Sequence, residues 1–283
     1  MHNVKLKNCR VCNSDHSKFL FQLRDSREEI RFFHCLECGM IYTDLILFER
    51  RVQETYSENY FKEHYLEVLA SKVLFFNDIL ESIENETGRV GKILDVGCGI
   101  GTFLEIARDR GWDTTGIEVS SFAAQYARDK KLRVYEGFVG QVPLEYKEFD
   151  LITAWDVIEH VEKPIDFLSI INSILKEDGF LVLKMPNTCS ISVRFYMKLS
   201  HISKRDYIHA TTHLSHFTAK TISLALKKAH FRVFKIKTAS DSALIAHDIW
   251  WKKCLWKMIA GFLRCADIFH GQRASLVVMA KKK

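Results

Sequence analysis

The sequence lacks the features that mark several classes of protein. It has only 3 prolines and 13 glycines among 283 residues, which excludes collagen-like repeats and proline-rich linkers. Apolar residues make up 47% of the chain and charged residues 27%, and this ordinary balance excludes a largely disordered polypeptide. A run of about 20 apolar residues is also missing, so no transmembrane helix is predicted. The length suits one large domain, or two unequal ones, with a buried core.

Neither a signal peptide nor a uniformly basic surface is evident. The N-terminal segment has no apolar stretch, so the sequence predicts a cytoplasmic protein. The 41 Lys and Arg against 35 Asp and Glu give a net charge of +6. Residues 249–283 hold eight basic residues and one acidic residue, or +7, which leaves −1 for residues 1–248. Because the excess charge belongs to one end, nucleic acid is disfavoured as a partner.

Four of the eight cysteines form two C-x2-C pairs, separated by 22 residues, near the N-terminus: Cys9, Cys12, Cys35 and Cys38. Such a pair lets one tight turn aim two sulfurs at one point, and two turns supply the four soft ligands of a structural zinc site. Short strands are predicted between the pairs at 19–23 and 30–34. The sequence therefore predicts a small zinc ribbon, with two disulfides or four buried thiols as the alternative.

Three regions follow from this pattern. The zinc ribbon is expected over residues 1–48, and a helical linker that covers a cofactor over 49–88. Apolar residues at three- and four-residue spacing predict a helix at about 65–84 within that linker. An α/β domain is expected over 89–283.

The α/β domain is predicted from an alternation of strands and helices that begins at Val90. Five apolar strands, with helices between them, are expected at 92–96, 113–118, 132–135, 149–155 and 180–185. This rhythm predicts a doubly wound parallel sheet. Two more strands, at 231–236 and 274–280, predict an antiparallel end and bring the sheet to seven strands.

A glycine-rich turn marks the predicted ligand site. Gly97, Gly99 and Gly101 directly follow the first strand of the α/β domain, and Glu118 ends the second. Ligands bind beyond the carboxyl ends of such strands, where a carboxylate can accept protons from both ribose hydroxyls. The Gly-x-Gly-x-Gly spacing differs from the dinucleotide pattern, and a Gly-Lys-Ser/Thr phosphate loop is absent. The turn therefore predicts a site for a different kind of nucleotide.

Several segments resemble class I S-adenosylmethionine-dependent methyltransferases. Residues 94–101 (LDVGCGIG) are similar to the first motif of this family. Residues 149–152 (FDLI) are similar to its fourth motif, and residues 155–161 (WDVIEHV) to the Glu-His extension of that motif. Residues 178–181 and 185–187 resemble their fifth-strand region. The resemblance covers about residues 50–283. A cysteine head joined to this core resembles a subgroup that includes sugar C-methyltransferases acting on nucleotide-linked deoxysugars, with other members found beside surface-polysaccharide enzymes.

The resemblance implies contacts with S-adenosylmethionine. The glycine turn would line the methionine end, Glu118 would hold the ribose, 138–139 would flank the adenine, and 154–156 would border the reacting methyl. Tyr56 and Tyr60, ahead of the sheet, would close over the cofactor. The residues implied to bind it are Asp95, Gly97, Cys98, Gly99, Gly101, Glu118, Phe138, Val139, Ala154, Trp155, Asp156 and Tyr60.

Methyl transfer is an in-line displacement, so the protein must align the acceptor and remove a tightly held proton. The candidate acid–base residues are His160, Glu159, His213 and His216. The segment 211–218 resembles one that carries a Glu-His pair in sugar C-methyltransferases, with Thr212 at the Glu position. An imidazole suits a base at neutral pH. The alternative is that these histidines only cap backbone groups.

An apolar and basic insert is predicted as a helix at about 243–270. Its three tryptophans stand beside basic residues, as in helices that lie on anionic membranes: Trp250, Trp251 and Trp256. The favoured interpretation is that this helix packs on the α/β domain or on a second subunit. Peripheral membrane contact through the insert is the alternative.

The predicted function is methyl transfer from S-adenosylmethionine to a small acceptor. The favoured acceptor is a sugar, as a nucleotide-sugar or surface-glycan precursor, methylated at carbon or oxygen. An RNA methyltransferase is a first alternative, although 154–157 (AWDV) differs from the Asp/Asn-Pro-Pro-aromatic motif used for exocyclic base amines. An O-methyltransferase acting on a lipid-like phenol and a non-catalytic zinc-ribbon adaptor are the others.

Overall fold

The computed structural model describes residues 8–24, 29–44, 56, 61, 69–88, 90–144, 148–203, 212–239 and 274–283. Tyr60, the insert predicted at 243–270 and the first turn of the helix predicted at 65–84 lie outside the described residues. The cofactor contact assigned to Tyr60 and the membrane contact of the insert therefore stay predictions.

The described strands are β1 (Ser17–Arg24), β2 (Glu29–Cys35), β3 (Ile41–Thr43), β4 (Lys92–Val96), β5 (Asp113–Glu118), β6 (Arg133–Glu136), β7 (Phe149–Trp155), β8 (Leu175–Pro186), β9 (Ser215–His216), β10 (Phe231–Ala239) and β11 (Ser275–Lys282). The described α-helices are α1 (Leu69–Thr87), α2 (Thr102–Asp109), α3 (Ser121–Asp129), α4 (Pro164–Ile174), α5 (Ile191–Ser203) and α6 (Ala219–Lys228). A 3-10 turn at Ile158–His160 follows β7.

The larger sheet has seven strands in the order β10-β11-β8-β7-β4-β5-β6. Strands β6, β5, β4, β7 and β8 are parallel, and β11 pairs antiparallel with both β8 and β10. This is the doubly wound sheet with an antiparallel end that the sequence predicts. Every residue of β7 is buried, which matches its unbroken apolar run because a central strand has neighbours on both edges and helices on both faces.

The largest difference from a predicted strand boundary is at the start of β8. The sequence predicts a helix through Leu175 and a strand that begins at 180, whereas α4 ends at Ile174 and β8 begins at Leu175. The reason is tertiary, since Leu175 is buried and pairs with Phe149 at the start of β7. Pairing along the sheet therefore extends the strand into residues whose local pattern favours a helix.

The second sheet joins the cysteine head to the α/β domain. Its order is β1-β2-β3-β9, and the last strand comes from the chain segment after β8. Ile41 lies opposite His216 and Tyr42 opposite Ser215. The strands predicted at 19–23 and 30–34 fall within β1 and β2, but β3 and β9 were not predicted because each is too short to show a period.

One apolar core extends through both sheets. It includes Met40 and Tyr42 from the head together with Phe217 and Leu183 from the α/β domain, all nearly inaccessible to solvent. Burial of this kind contributes roughly 25 cal/mol per Å² of apolar surface, so the two parts stabilise each other. Within the described part of the chain, no helix combines the length and apolar character needed to cross a membrane.

Candidate active site

The glycine turn lies at the carboxyl ends of the parallel strands, between β4 and α2. Gly97, Gly99 and Gly101 have φ values of 74°, 55° and 81°, in the left-handed region that glycine adopts without strain. A Cβ atom at Gly101 would lie 2.3 Å from Leu132 Cδ1. The Cys98 side chain packs in the apolar cluster beneath the turn, so its contribution to a ligand site is limited to backbone.

Glu118 fastens this turn to the end of β5. Its Oε2 accepts the Gly99 N–H at 2.8 Å, and its Oε1 accepts the Ser120 N–H at 2.9 Å. The side chain is only 5% exposed, and this burial raises the pKa of the carboxyl while the backbone donors oppose the rise. A carboxylate has about four lone-pair sites, so Glu118 can still accept the hydroxyls of a bound ribose.

Asp95 sits in β4 directly ahead of the turn and has an unused acceptor. Thr153 Oγ1 donates to its Oδ1 at 2.7 Å, whereas its buried Oδ2 has no hydrogen bond within the described residues. Burial raises the pKa of Asp95 to about 8, with the neighbouring Glu118 adding to the rise and Thr153 opposing it.

Two donors near the turn are also unused. Thr102 Oγ1 and Trp155 Nε1 are both buried and make no hydrogen bond among the residues that the structure describes. Buried polar atoms are normally satisfied, so such a group of orphans indicates a polar ligand. The set fits S-adenosylmethionine, whose polar groups would meet Asp95, the glycine turn and Glu118.

The strand-end residues 154–156 are held in place by packing and by an ion pair. Ala154 is buried, and the Trp155 indole packs against a group of aromatic rings at centroid distances of 5.7, 5.5 and 5.0 Å, those of Phe75, Phe76 and Phe103. Asp156 has a left-handed φ of 57°. Both of its carboxylate oxygens accept a hydrogen bond from Lys184 Nζ, each at 2.7 Å. Lys184 was missed from the sequence, although a lysine inside the apolar run FLVLKMP is a signal that could have found it.

Phe138 and Val139 lie where the resemblance implies an adenine site. They follow β6, whose last residue Glu136 is paired with Glu118, and both are partly buried. The Gly137 N–H donates to the Glu118 carbonyl at 2.9 Å. The loop after β6 is therefore held beside the ribose position of the predicted site.

The structure brings all four predicted acid–base residues together. Glu159 and His160 belong to the 3-10 turn after β7, His213 precedes β9, and His216 lies within it. The rings of His160 and His213 are 4.7 Å apart, and those of His213 and His216 are 6.3 Å apart. One possible ligand atom from each of Glu159, His160 and His213 lies within 4.8 Å of the others, so the three can share a proton or a cation.

The hydrogen bonds of His160 define its protonation. Its Nδ1 lies 3.0 Å from the Thr212 carbonyl oxygen, which can only accept, so Nδ1 carries the hydrogen of the neutral ring. Nε2 then carries no hydrogen and can accept one; it lies 3.3 Å from the Tyr56 hydroxyl and 4.0 Å from Glu159 Oε1. Tyr56 packs against the apolar cluster that contains Ile100 of the glycine turn. It therefore connects the base to the cofactor site.

The four head cysteines form one cluster. Sγ–Sγ distances are 3.6 Å for Cys9–Cys38 and 3.4 Å for Cys12–Cys35, far longer than a disulfide, and all four sulfurs lie within 4.8 Å of one another. Burial raises the pKa of Cys9 to about 11. Burial also acts to raise the pKa of Cys35. Hydrogen bonds from the Cys38 and Glu37 amides and from the Cys12 thiol outweigh this effect, so the pKa of Cys35 is lowered to about 7.

Each pair is closed by a turn that suits a metal. The Asn13 N–H donates to the Cys9 carbonyl and the Gly39 N–H to the Cys35 carbonyl, and both donors come from left-handed residues. Four mutually close thiols repel one another when ionised, so a divalent cation would stabilise the set. The arrangement fits a tetrahedral zinc site.

The fold and the site define a class. A doubly wound sheet with a glycine turn after one strand and a buried acid at the end of the next is a nucleotide-binding α/β domain. Residues 61–236 match the family model described as a methyltransferase domain, which covers more than half of the chain. The chain belongs to this methyltransferase family.

The curated relatives carry one activity in their names. A ubiquinone biosynthesis O-methyltransferase of Actinobacillus pleuropneumoniae is 31% identical over 117 residues, 38% of this chain and 49% of the relative. The mitochondrial enzyme of the same name from Schizosaccharomyces pombe is 35% identical over 103 residues, 32% of this chain and 36% of the relative. The chain thus spans about half the length, or less, of the curated relatives it matches.

Solved structures share the fold. One is the magnesium protoporphyrin IX methyltransferase of Synechocystis, solved with bound S-adenosylhomocysteine. Its TM-score is 0.60 at 12% identity, and the match covers 83% of this chain and 100% of that chain. A S-adenosylmethionine-dependent methyltransferase of Thermotoga maritima has a TM-score of 0.54 at 21% identity, with 83% and 98% covered. At these identities the similarity shows the fold.

Glu118→Gln should weaken the binding of S-adenosylhomocysteine about tenfold, or roughly 1.4 kcal/mol, because the amide loses the charge that holds Gly99, Ser120 and the ribose. Isothermal titration calorimetry measures this change. The matched control is Glu136→Gln on the neighbouring strand, where the side chain is 39% exposed. Equal affinities in the two variants would contradict the ribose assignment.

Asp95→Asn should remove a pH dependence of stability. The folded pKa of about 8 lies above the ordinary value near 3.9, so the contribution of Asp95 is full below about pH 4 and is lost as the pH rises through 8. Between pH 6 and pH 8 the unfolding free energy of the ligand-free wild type should fall, relative to the variant, by on the order of 1–2 kcal/mol. Urea unfolding measures both. Parallel pH curves would contradict the assignment.

Proposed function

We propose that this chain transfers a methyl group from S-adenosylmethionine to a hydroxyl oxygen of a sugar-class acceptor, with His160 as the general base. The observation that carries the proposal is the geometry of His160. Thr212 fixes its tautomer so that Nε2 is the nitrogen without a hydrogen, and Tyr56 links that atom to the glycine turn. A base placed beside the cofactor is what an acceptor with a bound proton requires.

The described residues divide the work between cofactor and acceptor. Glu118 and Asp95 hold the cofactor, which when bound supplies an electrophilic methyl group on a sulfonium and leaves as a neutral thioether. His160 Nε2 takes the hydroxyl proton as the acceptor oxygen forms its new bond to carbon. Glu159, buried at 4.0 Å from Nε2, stabilises the imidazolium that results.

The acceptor class follows from the chemistry around Nε2. The described groups nearest to it are polar, namely the Tyr56 hydroxyl, the Glu159 carboxylate and the His213 ring. Such groups suit a polyhydroxylated acceptor. An alcohol holds its proton nearly as tightly as water does, and therefore far more tightly than a phenol, whose pKa is about 10. A base supported by a buried carboxylate matters more for the alcohol.

Phenolic O-methylation is the second candidate, and the names of the curated relatives favour it. Both relatives are ubiquinone biosynthesis O-methyltransferases. The same base would accept a phenolic proton with less assistance. The two candidates differ in the acceptor alone, so one experiment separates them.

We also propose that the cysteine cluster holds one structural zinc ion. Four sulfurs within 4.8 Å, each pair closed by an N–H···O=C turn, support this. Because all four ligands come from the protein, the site leaves no open position for catalysis.

Transfer of labelled methyl from S-adenosylmethionine into an extract of the native host tests the function, with sugar-nucleotide, phenolic-lipid and RNA fractions counted separately. Label in the sugar fraction is expected. Label in the phenolic fraction would favour the second candidate, and label in RNA would contradict both. Absence of label, despite tight binding of S-adenosylhomocysteine, would favour a non-catalytic adaptor.

His160→Ala should lower turnover by roughly 10²- to 10⁴-fold, because general-base catalysis is lost. The affinity for S-adenosylhomocysteine should stay within about twofold, because His160 does not contact Glu118 or Asp95 in the described structure. His16→Ala, an exposed histidine of the head, is the matched control and should retain turnover. Near-normal turnover in both His160→Ala and His213→Ala would overturn the histidine-base mechanism.

Metal analysis should find one zinc per chain in protein purified without chelator. Cys12→Ser should reduce the metal content to well below one equivalent, because a hydroxyl is a poor ligand for zinc. Cys189→Ser, at an exposed cysteine outside the cluster, is the control and should leave the metal content unchanged. A wild-type protein with well below one equivalent would contradict the zinc proposal.

A further inference from the structure

Arg10 lies inside the first cysteine pair but points away from the sulfurs. Its guanidinium donates to the Glu162 carbonyl at 2.7 Å and to the Thr43 carbonyl at 3.2 Å. Glu162 follows His160 by two residues, in the short segment between the 3-10 turn and α4. A residue fixed by the metal-binding loop therefore contacts the segment that carries the proposed base.

These contacts close a ring of hydrogen bonds. The Leu214 N–H donates to the Glu159 carbonyl at 2.8 Å, and the Thr43 N–H donates to the Leu214 carbonyl at 3.0 Å. Arg10 then joins the Thr43 carbonyl to the Glu162 carbonyl. The ring thus connects the head, the catalytic turn and the segment that leads into β9.

We propose that Arg10 is a positioning residue for the acid–base cluster: by closing the ring, it holds the turn of Glu159 and His160 against the segment of His213. The inference rests on the proposed function, in which His160 is the base. It assigns the cysteine head a role in the geometry of catalysis beyond its own folding.

Arginine suits this role because its guanidinium offers several donors in a fixed planar fork. Lysine has a single ammonium on a flexible stem and cannot span two carbonyls in the same way. Burial lowers the pKa of Arg10, with the charge of Glu162 opposing the change. A partly desolvated cation makes stronger hydrogen bonds than one in water, so the two contacts restrain the turn firmly.

Arg10→Met removes the donors and keeps an unbranched side chain. In the full-length, zinc-loaded protein we expect amide hydrogen exchange at Leu214 and Thr43 to accelerate at least tenfold. Zinc content and the affinity for S-adenosylhomocysteine should stay within twofold of the wild type. With an acceptor in hand, kcat should fall at least tenfold at unchanged KM for S-adenosylmethionine, and the acid limb of the pH profile should move.

Arg31→Met is the matched control. Arg31 is a head arginine whose Nε donates to Asp44 Oδ2 at 2.8 Å, within the head itself. Its loss should leave exchange at Leu214 unchanged. Equal acceleration in both variants would show a general loosening of the head and would overturn the inference, as would unchanged exchange in Arg10→Met.

Arg10→Lys decides the question if Arg10→Met loses its zinc. A single ammonium nitrogen cannot replace both guanidinium nitrogens at their separate carbonyls, so exchange at Leu214 should lie between the wild type and full loss of protection. Exchange as slow as in the wild type would contradict a need for the two-nitrogen fork of arginine. Wild-type protein without turnover on any acceptor would contradict the proposed function, while the exchange data would still decide the role of Arg10.

Discussion

The cluster of Glu159, His160 and His213, which we propose as the acceptor half of the site, depends on two backbone hydrogen bonds made by Leu214. Its N–H donates to the Glu159 carbonyl in the 3-10 turn, and its carbonyl accepts the Thr43 N–H from β3 of the head. An amide group has one donor and one acceptor, so Leu214 uses both to bind two regions that are far apart in sequence. Together with the bond from His160 Nδ1 to the Thr212 carbonyl, this pairing fixes the His160 segment relative to the His213 segment.

The cofactor half of the proposed site is dominated by two buried carboxyl groups. Asp95 and Glu118 are both almost inaccessible to solvent, and burial raises the pKa of each. Buried carboxylates destabilise a protein unless a cation or hydrogen bonds compensate. S-adenosylmethionine is a cation at sulfur, so its binding would favour the ionised acids and would itself be strengthened by them. Ligand binding, ionisation and stability are therefore linked in this site.

Much of the cofactor half could be predicted from the sequence, because its determinants are local. The glycine turn and Glu118 stand at fixed offsets from apolar strands, and the structure joins them through the Gly99 N–H. That the four cysteines form one cluster could likewise be predicted from the spacing of the two C-x2-C pairs alone. The residues of the acid–base cluster were also predicted, although the spacing did not show that His160 would use Thr212 and Tyr56 to define its base atom.

The remaining features depend on contacts between distant segments. Strand β3 has three residues and β9 has two, so neither shows a period, and each forms because the other completes its hydrogen bonds. The contact of Arg10 with Glu162 spans 152 positions, and that of Lys184 with Asp156 joins two neighbouring strands. No local pattern encodes such pairs. A charged residue inside an apolar or metal-binding motif is nevertheless a signal that it has a specific partner.

The cysteine head lies outside the region that matches the methyltransferase family, and this division bears on specificity for the acceptor. Residues 61–236 match the methyltransferase domain, whereas the cysteine head precedes that range. Yet strand β3 of the head pairs with β9, which contains His216. Arg10 of the head also donates to the Glu162 carbonyl, two residues after His160. On the proposed function, the shared region would hold the methyl donor, and the head would shape the place where the acceptor meets the base. It follows that acceptor identity in this chain should vary with the head and the β9 segment more than with the glycine turn.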